Sequence, residues 1–160
     1  MDQPVVDGPD RVRQILREAG FSTDVTRLNS SARTAAEAAS AIGCTVAQIA
    51  KSLIFKGVDS GEHVLVIACG ANRVDEARIA STIGERIVKA DAAYVRERTG
   101  FAIGGVAPIG HTLPPRNVLI DADLAELDPI WAAAGHPHAV FRTHFAELLR
   151  LTSGVIAQIA

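Results

Sequence analysis

Apolar positions along the chain follow two periods, and the switches between them mark out the elements. Val12, Ile15, Leu16 and Ala19 recur at i, i+3, i+4 and i+7 with Gly20 behind them, which predicts an amphipathic helix over residues 10–19. Phe21 to Leu28 reads as a strand. Thr34-Ala-Ala-Glu37 has the form of a capping box, with the Thr34 hydroxyl facing the Glu37 amide, and opens an alanine-rich helix that stops near Gly43. Ile49 to Lys56 and His63 to Cys69 are apolar runs rich in β-branched residues, and Gly57-Val-Asp-Ser-Gly61 between them suits a hairpin loop. Asn72 is expected to cap a helix through Val74, Ala77, Ala80 and Ile83 that Gly84 ends. Ile87-Val88 makes a short strand, and Asp91 caps a helix running to Arg98.

Beyond a glycine-rich stretch, Asn117 to Asp121, Trp131 to Ala134 and Ala139 to Thr143 read as strands. Phe145, Leu148 and Leu149 mark a short helix, and Val155-Ile156 adds a last strand. Hairpins are interleaved with helices instead of repeating strand–helix units, so the fold class is α+β with a mixed sheet. A chain of 160 residues that is 48% hydrophobic supports one core, so 1–160 is read as a single compact domain with residues 1–8 flexible.

Charge and cysteine usage narrow the function. A formal net charge of −2 argues against gripping long nucleic acid by charge alone, while leaving recognition of one nucleotide end open. No apolar run reaches membrane-spanning length, and the N-terminus, with Asp2, Asp7 and Asp10, lacks the order of a secretory signal, so the expected location is cytoplasmic, away from membranes. Cys44 and Cys69 lie far apart with no CxxC spacing and read as reduced packing thiols.

Two segments carry candidate chemistry. Lys51 lies in Gln48-Ile-Ala-Lys-Ser-Leu-Ile-Phe55 and shares a strand face with Ile49, Leu53 and Phe55. Burying an unpartnered ammonium is costly, so such a lysine either snorkels to solvent or meets an anion. Thr99-Gly-Phe-Ala-Ile-Gly-Gly-Val-Ala-Pro-Ile-Gly110 places glycines where backbone can approach a ligand, and the amides at Gly104-Gly105 could form an oxyanion nest, with Pro108 stiffening the return. Gly135-His136-Pro137-His138 puts two histidines on one side of an extended segment. His111, His144, Asp121 and Asp123 are distant candidate ligands, and a solvated loop is the simpler reading. Asp121 ends a strand or caps the helix after it.

Taken in order, Ala35 to Gly43, Lys51, Val74-Asp75-Glu76, Thr99-Gly100, Gly104 to Gly110 and Leu119-Ile-Asp121 resemble the YbaK/prolyl-tRNA synthetase-associated domain family of aminoacyl-tRNA deacylases. The resemblance covers about residues 10–158. It implies a curved mixed β-sheet with surrounding helices, and hydrolysis of the ester joining a wrong amino acid to a tRNA 3′ end. In that family the strand lysine and a GxxxP loop line the pocket, which carries over to Lys51, Gly104 and Pro108. Lys51, Gly104 and Gly105 are then the expected catalytic set, with Pro108, Asp121, Gly135, His136 and His138 as substrate-binding residues. No metal and no cofactor are expected.

The chain departs from the family in Ala132-Ala-Ala-Gly135-His-Pro-His138, where no serine stands and His136 or His138 takes a site role. Alanine walls suit a small amino acid such as alanine, cysteine or proline. The resemblance implies an aminoacyl-tRNA 3′ end as partner, with a proline-type tRNA and prolyl-tRNA synthetase behind it. Monomer and homodimer both stay open. Two readings compete: a non-catalytic module that binds an amino acid, nucleotide or tRNA end, and a metal-dependent hydrolase built on His136, His138 and a distant acid.

Overall fold

A computed structural model describes residues 7–21 and 23–160. Its elements run α1 (Gly8–Glu18), β1 (Val25–Arg27), α2 (Ala35–Ile42), β2 (Ile49–Gly57), β3 (His63–Cys69), α3 (Glu76–Ile83), β4 (Ile87–Lys89) and α4 (Ala92–Thr99). Beyond a long loop come β5 (Asn117–Asp121), β6 (Ile130–His136), β7 (Ala139–Thr143), α5 (Phe145–Thr152) and β8 (Val155–Ala157). The expected α+β architecture is therefore present. Among the described residues, no helix is long and apolar enough to cross a membrane.

Local chemistry sets most element ends. Thr34 Oγ1 accepts from the Glu37 N–H at 3.1 Å to start α2, and Asp91 accepts from the Tyr94 N–H at 2.8 Å to start α4. Gly43, Gly84 and Gly100 end α2, α3 and α4 in the left-handed region that favours glycine.

Three expectations shift. The helix expected from Asn72 begins instead at Glu76, capped by Asp75, whose carboxylate accepts from the Ala77 and Arg78 N–H groups. Among the described residues, the strand expected over Phe21 to Leu28 forms at Val25–Arg27, where β7 supplies a partner. Most of the 1–8 segment, expected to be flexible, lies outside the described residues. Gly8, however, opens α1 and packs so tightly that an added Cβ would sit 2.2 Å from the Gly135 carbonyl oxygen.

The sheet runs β1-β7-β6-β2-β3-β5-β8, with β4 also on β2. Parallel pairs (β2 with β6, β3 with β5, β5 with β8) stand beside antiparallel ones, as the mixed order of elements requires. β3 is buried at every position because helices cover both of its faces. Leu65 and Ile67 join Val12, Leu16, Phe141 and Leu148 on one side, while Val64 and Val66 join Ile79, Leu119 and Ile159 on the other.

β2 is where the sheet opens. β3 runs along one edge of it, so β6 and β4 share the other: β6 pairs at Ile49 and Ala50, β4 at Phe55 to Gly57. Lys51 to Ile54 lie in the fork, with no strand partner on that edge among the described residues.

Candidate functional site

A cavity of about 620 Å³ occupies this fork. Its walls come from both sides of the sheet: Arg33, Ala35, Arg73 and Val74 from the α2–α3 side, and Val95, Ile103, Gly104 and Val106 from α4 and the glycine loop. Trp131, Ala132 and Ala133 of β6 close the remaining side. Arg33, Lys51, Arg73 and Lys89 all line the space, against a single carboxylate, Glu76. None of the four cations forms an ion pair among the described residues. A concave site with apolar walls and several uncompensated cations is suited to a ligand that is part anion and part apolar.

Lys51 is held in place by a chain that reaches across two strands. Its face of β2 passes from Ile49, packed with Ala38 and Ala39 of α2, to Phe55, packed with Ile79 of α3. Half-buried between them, Lys51 donates from Nζ to the Asn72 carbonyl at 2.7 Å. An ammonium carries three N–H donors, so two remain for a ligand or water. Asn72 is fixed in turn: its Nδ2 donates to Asp121 Oδ2 at 2.9 Å and to Asp123 Oδ2 at 2.7 Å. Asp121 is 2% exposed and also accepts from the Cys69 N–H at 2.9 Å and the Asp123 N–H at 3.0 Å. Asp121 thus stands behind the cavity wall and is linked to Lys51 through Asn72.

The glycine loop divides its work. Gly104 lines the cavity at φ +91°, with the Arg33 side chain lying across it 2.8 Å from where a Cβ would stand. Gly105 uses its N–H within the loop, donating to the Ala102 carbonyl at 3.0 Å, and its backbone presses on His136, leaving 2.8 Å for any Cβ. Of the two amides expected to form an oxyanion nest, the one at Gly105 is therefore already engaged within the loop. Pro108 is buried and outside the lining.

The Gly135-to-His138 segment also lies outside the lining. Gly135 sits in a bulge of β6 at φ +87° and packs on the Gly8 backbone. His136 Nδ1 accepts from the His138 N–H at 3.0 Å. The Pro137 and His138 carbonyls accept from the Ala32 and Leu28 N–H groups at 2.7 and 2.6 Å, and so tether the segment that presents Arg33 to the cavity. Among the described residues, no group of three His, Cys, Asp or Glu side chains is placed to hold a metal ion.

Of the residues singled out from sequence, Lys51 and Gly104 meet on the cavity wall. Gly105, Pro108, Asp121, Gly135, His136 and His138 lie behind or beside it. Arg33, Arg73, Lys89 and Trp131 were not anticipated. Arg33 directly precedes the capping Thr34, which is the one local hint of its position.

Comparison with known proteins gives this geometry a context. The profile of the aminoacyl-tRNA editing domain family matches residues 29–151. A protein of Bacillus subtilis (strain 168), YwhH, is 34% identical over 137 residues, covering 86% of each chain. Proline–tRNA ligase of Limosilactobacillus fermentum is 32% identical over 102 residues, which are 61% of this chain and 17% of the ligase. A solved structure of a proposed trans-editing enzyme for prolyl tRNA synthetase is 41% identical, with 98% of both chains covered and a TM-score of 0.89. A second, from work on grafting linear epitopes onto scaffold proteins by computational design, is 38% identical over 97% of both chains, with a TM-score of 0.88.

Proposed function

Because the chain belongs to the aminoacyl-tRNA editing domain family and is thereby an aminoacyl-tRNA deacylase, we propose that its cavity receives the 3′ aminoacyl end of a mischarged tRNA. The carrying observation is Lys51, half-buried in the sheet fork among three further cations that lack ion-pair partners among the described residues. In this reading Lys51 meets the terminal phosphate or sugar, and Arg33, Arg73 and Lys89 neutralise the adjoining phosphates. The aminoacyl group turns toward Ile54, Val95, Val106 and Ala132. Alanine walls at Ala50, Ala132 and Ala133 favour a small amino acid such as alanine, cysteine or proline, and the likeness to a proposed trans-editing enzyme favours a proline-type tRNA. Prolyl-tRNA synthetase is the partner that this reading implies.

An aminoacyl ester is already activated, so positioning and charge stabilisation carry most of the rate. A water oxygen attacks the ester carbonyl carbon, and the Gly104 backbone faces the oxygen on which negative charge builds. The bond from that carbon to the ribose oxygen then breaks. The water's proton passes to the ribose oxygen, relayed by a hydroxyl, amine or thiol of the substrate itself, leaving a free amino acid and an intact tRNA end.

The test is a panel of proline tRNAs charged with labelled alanine, cysteine, serine or proline, incubated with wild type and Lys51→Ala. Loss of one charge-assisted hydrogen bond is worth about 1.5–3 kcal/mol, so release of the cleaved amino acid should slow by about 10- to 150-fold with the fold retained. Unchanged turnover in Lys51→Ala would sink the assignment, and binding without turnover by wild type would favour a non-catalytic module.

A further inference from the structure

Two histidines, one buried and one half-buried, lie in line behind the glycine loop. His63 opens β3 and is 0% exposed, and His111 comes directly after Gly110 at the end of the loop, half-buried. Arg98 Nε donates to His63 Nδ1 at 3.2 Å, His63 Nε2 lies 3.1 Å from His111 Nδ1, and His111 Nε2 lies 2.8 Å from the Ala107 carbonyl oxygen. The rings are stacked, 5.3 Å between centroids and 28° between planes.

One arrangement of protons satisfies all three contacts. The guanidinium can only donate, so His63 Nδ1 accepts and His63 carries its proton on Nε2. That proton points at His111 Nδ1, which must accept. His111 then bears its proton on Nε2 and donates it to the Ala107 carbonyl, which can only accept. Donation runs one way, from α4 to the loop, and requires both rings neutral.

The electrostatics agree. Burial, with the neighbouring His111 ring and the Arg98 guanidinium, lowers His63 to about 4, and burial together with Arg11 lowers His111 against the opposing pull of its bond to Ala107. The charged groups that meet the pair are Arg98 of α4 and Arg11 of α1; Lys56 lies across the β2–β3 register, Glu62 precedes His63 in the chain, and Arg116, whose backbone N–H meets the His63 carbonyl, is itself paired with Glu85.

The far end of the chain bears on the cavity. Thr112 and Leu113 close the loop by donating to the Thr99 and Arg98 carbonyls at 3.1 and 3.0 Å, and Arg11 Nη2 donates to the His111 carbonyl at 3.1 Å. Between those ends, Ala107 is the neighbour of Val106, which with Gly104 forms the cavity wall. The bond from His111 ties that wall to the buried pair. We infer that His63 and His111 are positioning residues for deacylation, their one-way donor chain fixing the Ala107 carbonyl and with it the Gly104–Val106 wall. This rests on the reading that this wall receives the aminoacyl end.

Two substitutions divide the role. In His111→Gln the amide N–H still reaches the Ala107 carbonyl, whereas in His111→Asn the shorter amide ends near the Nδ1 position and leaves that carbonyl without a donor. The substrates are proline tRNA charged with alanine, cysteine, serine or proline, using whichever wild type hydrolyses. At matched Tm, His111→Asn should lose about tenfold or more in kcat/KM and His111→Gln should stay within about threefold. Equal rates in the two variants, whether high or low, overturn the inference. A second measurement needs neither a variant nor a substrate: nitrogen NMR of the imidazoles should show both rings as the neutral Nε2–H tautomer at pH 7. A charged ring, or an Nδ1–H tautomer at either position, also overturns it. If wild type hydrolyses none of the four substrates, the substrate reading fails by itself, and the tautomers still decide the relay.

Discussion

Substituting Asp121 by asparagine separates the stability of the fold from the placing of Lys51. The carboxylate accepts on both oxygens: Oδ2 from the Cys69 N–H and Asn72 Nδ2, and Oδ1 from the Asp123 N–H. An asparagine oxygen turned toward Cys69 and Asn72 keeps two of these contacts but presents its NH₂ to the Asp123 N–H, donor against donor. A buried N–H left unpaired costs about 1–3 kcal/mol, and Asp123 is exposed enough for water to relieve part of that, so the low end applies. At about 2–4 °C per kcal/mol for a chain of this size, Tm should fall by roughly 2–4 °C. The bond holding Asn72 also weakens as its acceptor loses charge, and Lys51 loosens with it. A loss of about 1 kcal/mol there lowers kcat/KM about fivefold. The assay is a double-mutant cycle with Lys51→Ala, monitoring deacylation and thermal melting in parallel. If Asp121 acts through Asn72 on Lys51, Asp121→Asn lowers kcat/KM in the wild-type background and leaves it unchanged in Lys51→Ala, while the Tm loss is the same in both. An equal fractional loss of kcat/KM in both backgrounds refutes the chain of action.

Three further outcomes are expected. Gly104→Ala, strained at φ +91°, pushes on the root of the Arg33 side chain at the cavity wall, whereas Gly105→Ala meets the His136 backbone, which cannot yield; the first should cost more in kcat/KM and the second more in Tm, measured by deacylation and melting. If the uncompensated cations meet phosphates, kcat/KM at subsaturating tRNA falls with salt, and Arg73→Ala and Lys89→Ala each flatten the log–log slope by about 0.7. His63 titrates near 4 in the folded protein, below the usual histidine value. Its contribution to stability is therefore complete above about pH 6.5 and is lost as pH falls toward 4, and a melting series should show a decline over that window that His63→Gln flattens.

Neighbours along the chain decide the features that could be read from sequence. The hairpin of β2 and β3, the caps at Thr34 and Asp91 and the glycine stops all come from local chemistry. Asn72 misled for an equally physical reason: an asparagine before a helix is a good cap, but two carboxylates from the β5 end compete for its amide, and Asp75 then caps the helix. Lys51 stood out because an ammonium in an apolar run is costly unless something answers it. Arg33, Arg73 and Lys89 carried no such signal, because a charge beside a helix or at a strand end is ordinary. They become a cluster only when the sheet divides, and no local pattern encodes that division.

The division itself traces to β6. A strand pairing with β2 along its whole length would fill the edge at Lys51 to Ile54 and leave no cavity, yet β6 leaves β2 after Ala132 while its other edge stays paired with β7. The register shift between Ala133 and His136 supplies the bend, and Gly135 at φ +87° makes the shift possible. The same bulge seats the start of α1, because a Cβ at Gly135 would stand 2.7–2.9 Å from the Gly8 backbone. It also receives the glycine loop at Gly105 and, through Pro137 and His138, steadies the segment that carries Arg33. One glycine thus bears on the opening, on the loop wall and on a cation of the rim without touching the cavity. Its substitution should therefore disturb substrate handling through several walls at once, unlike the loss of Lys51, which removes a single contact.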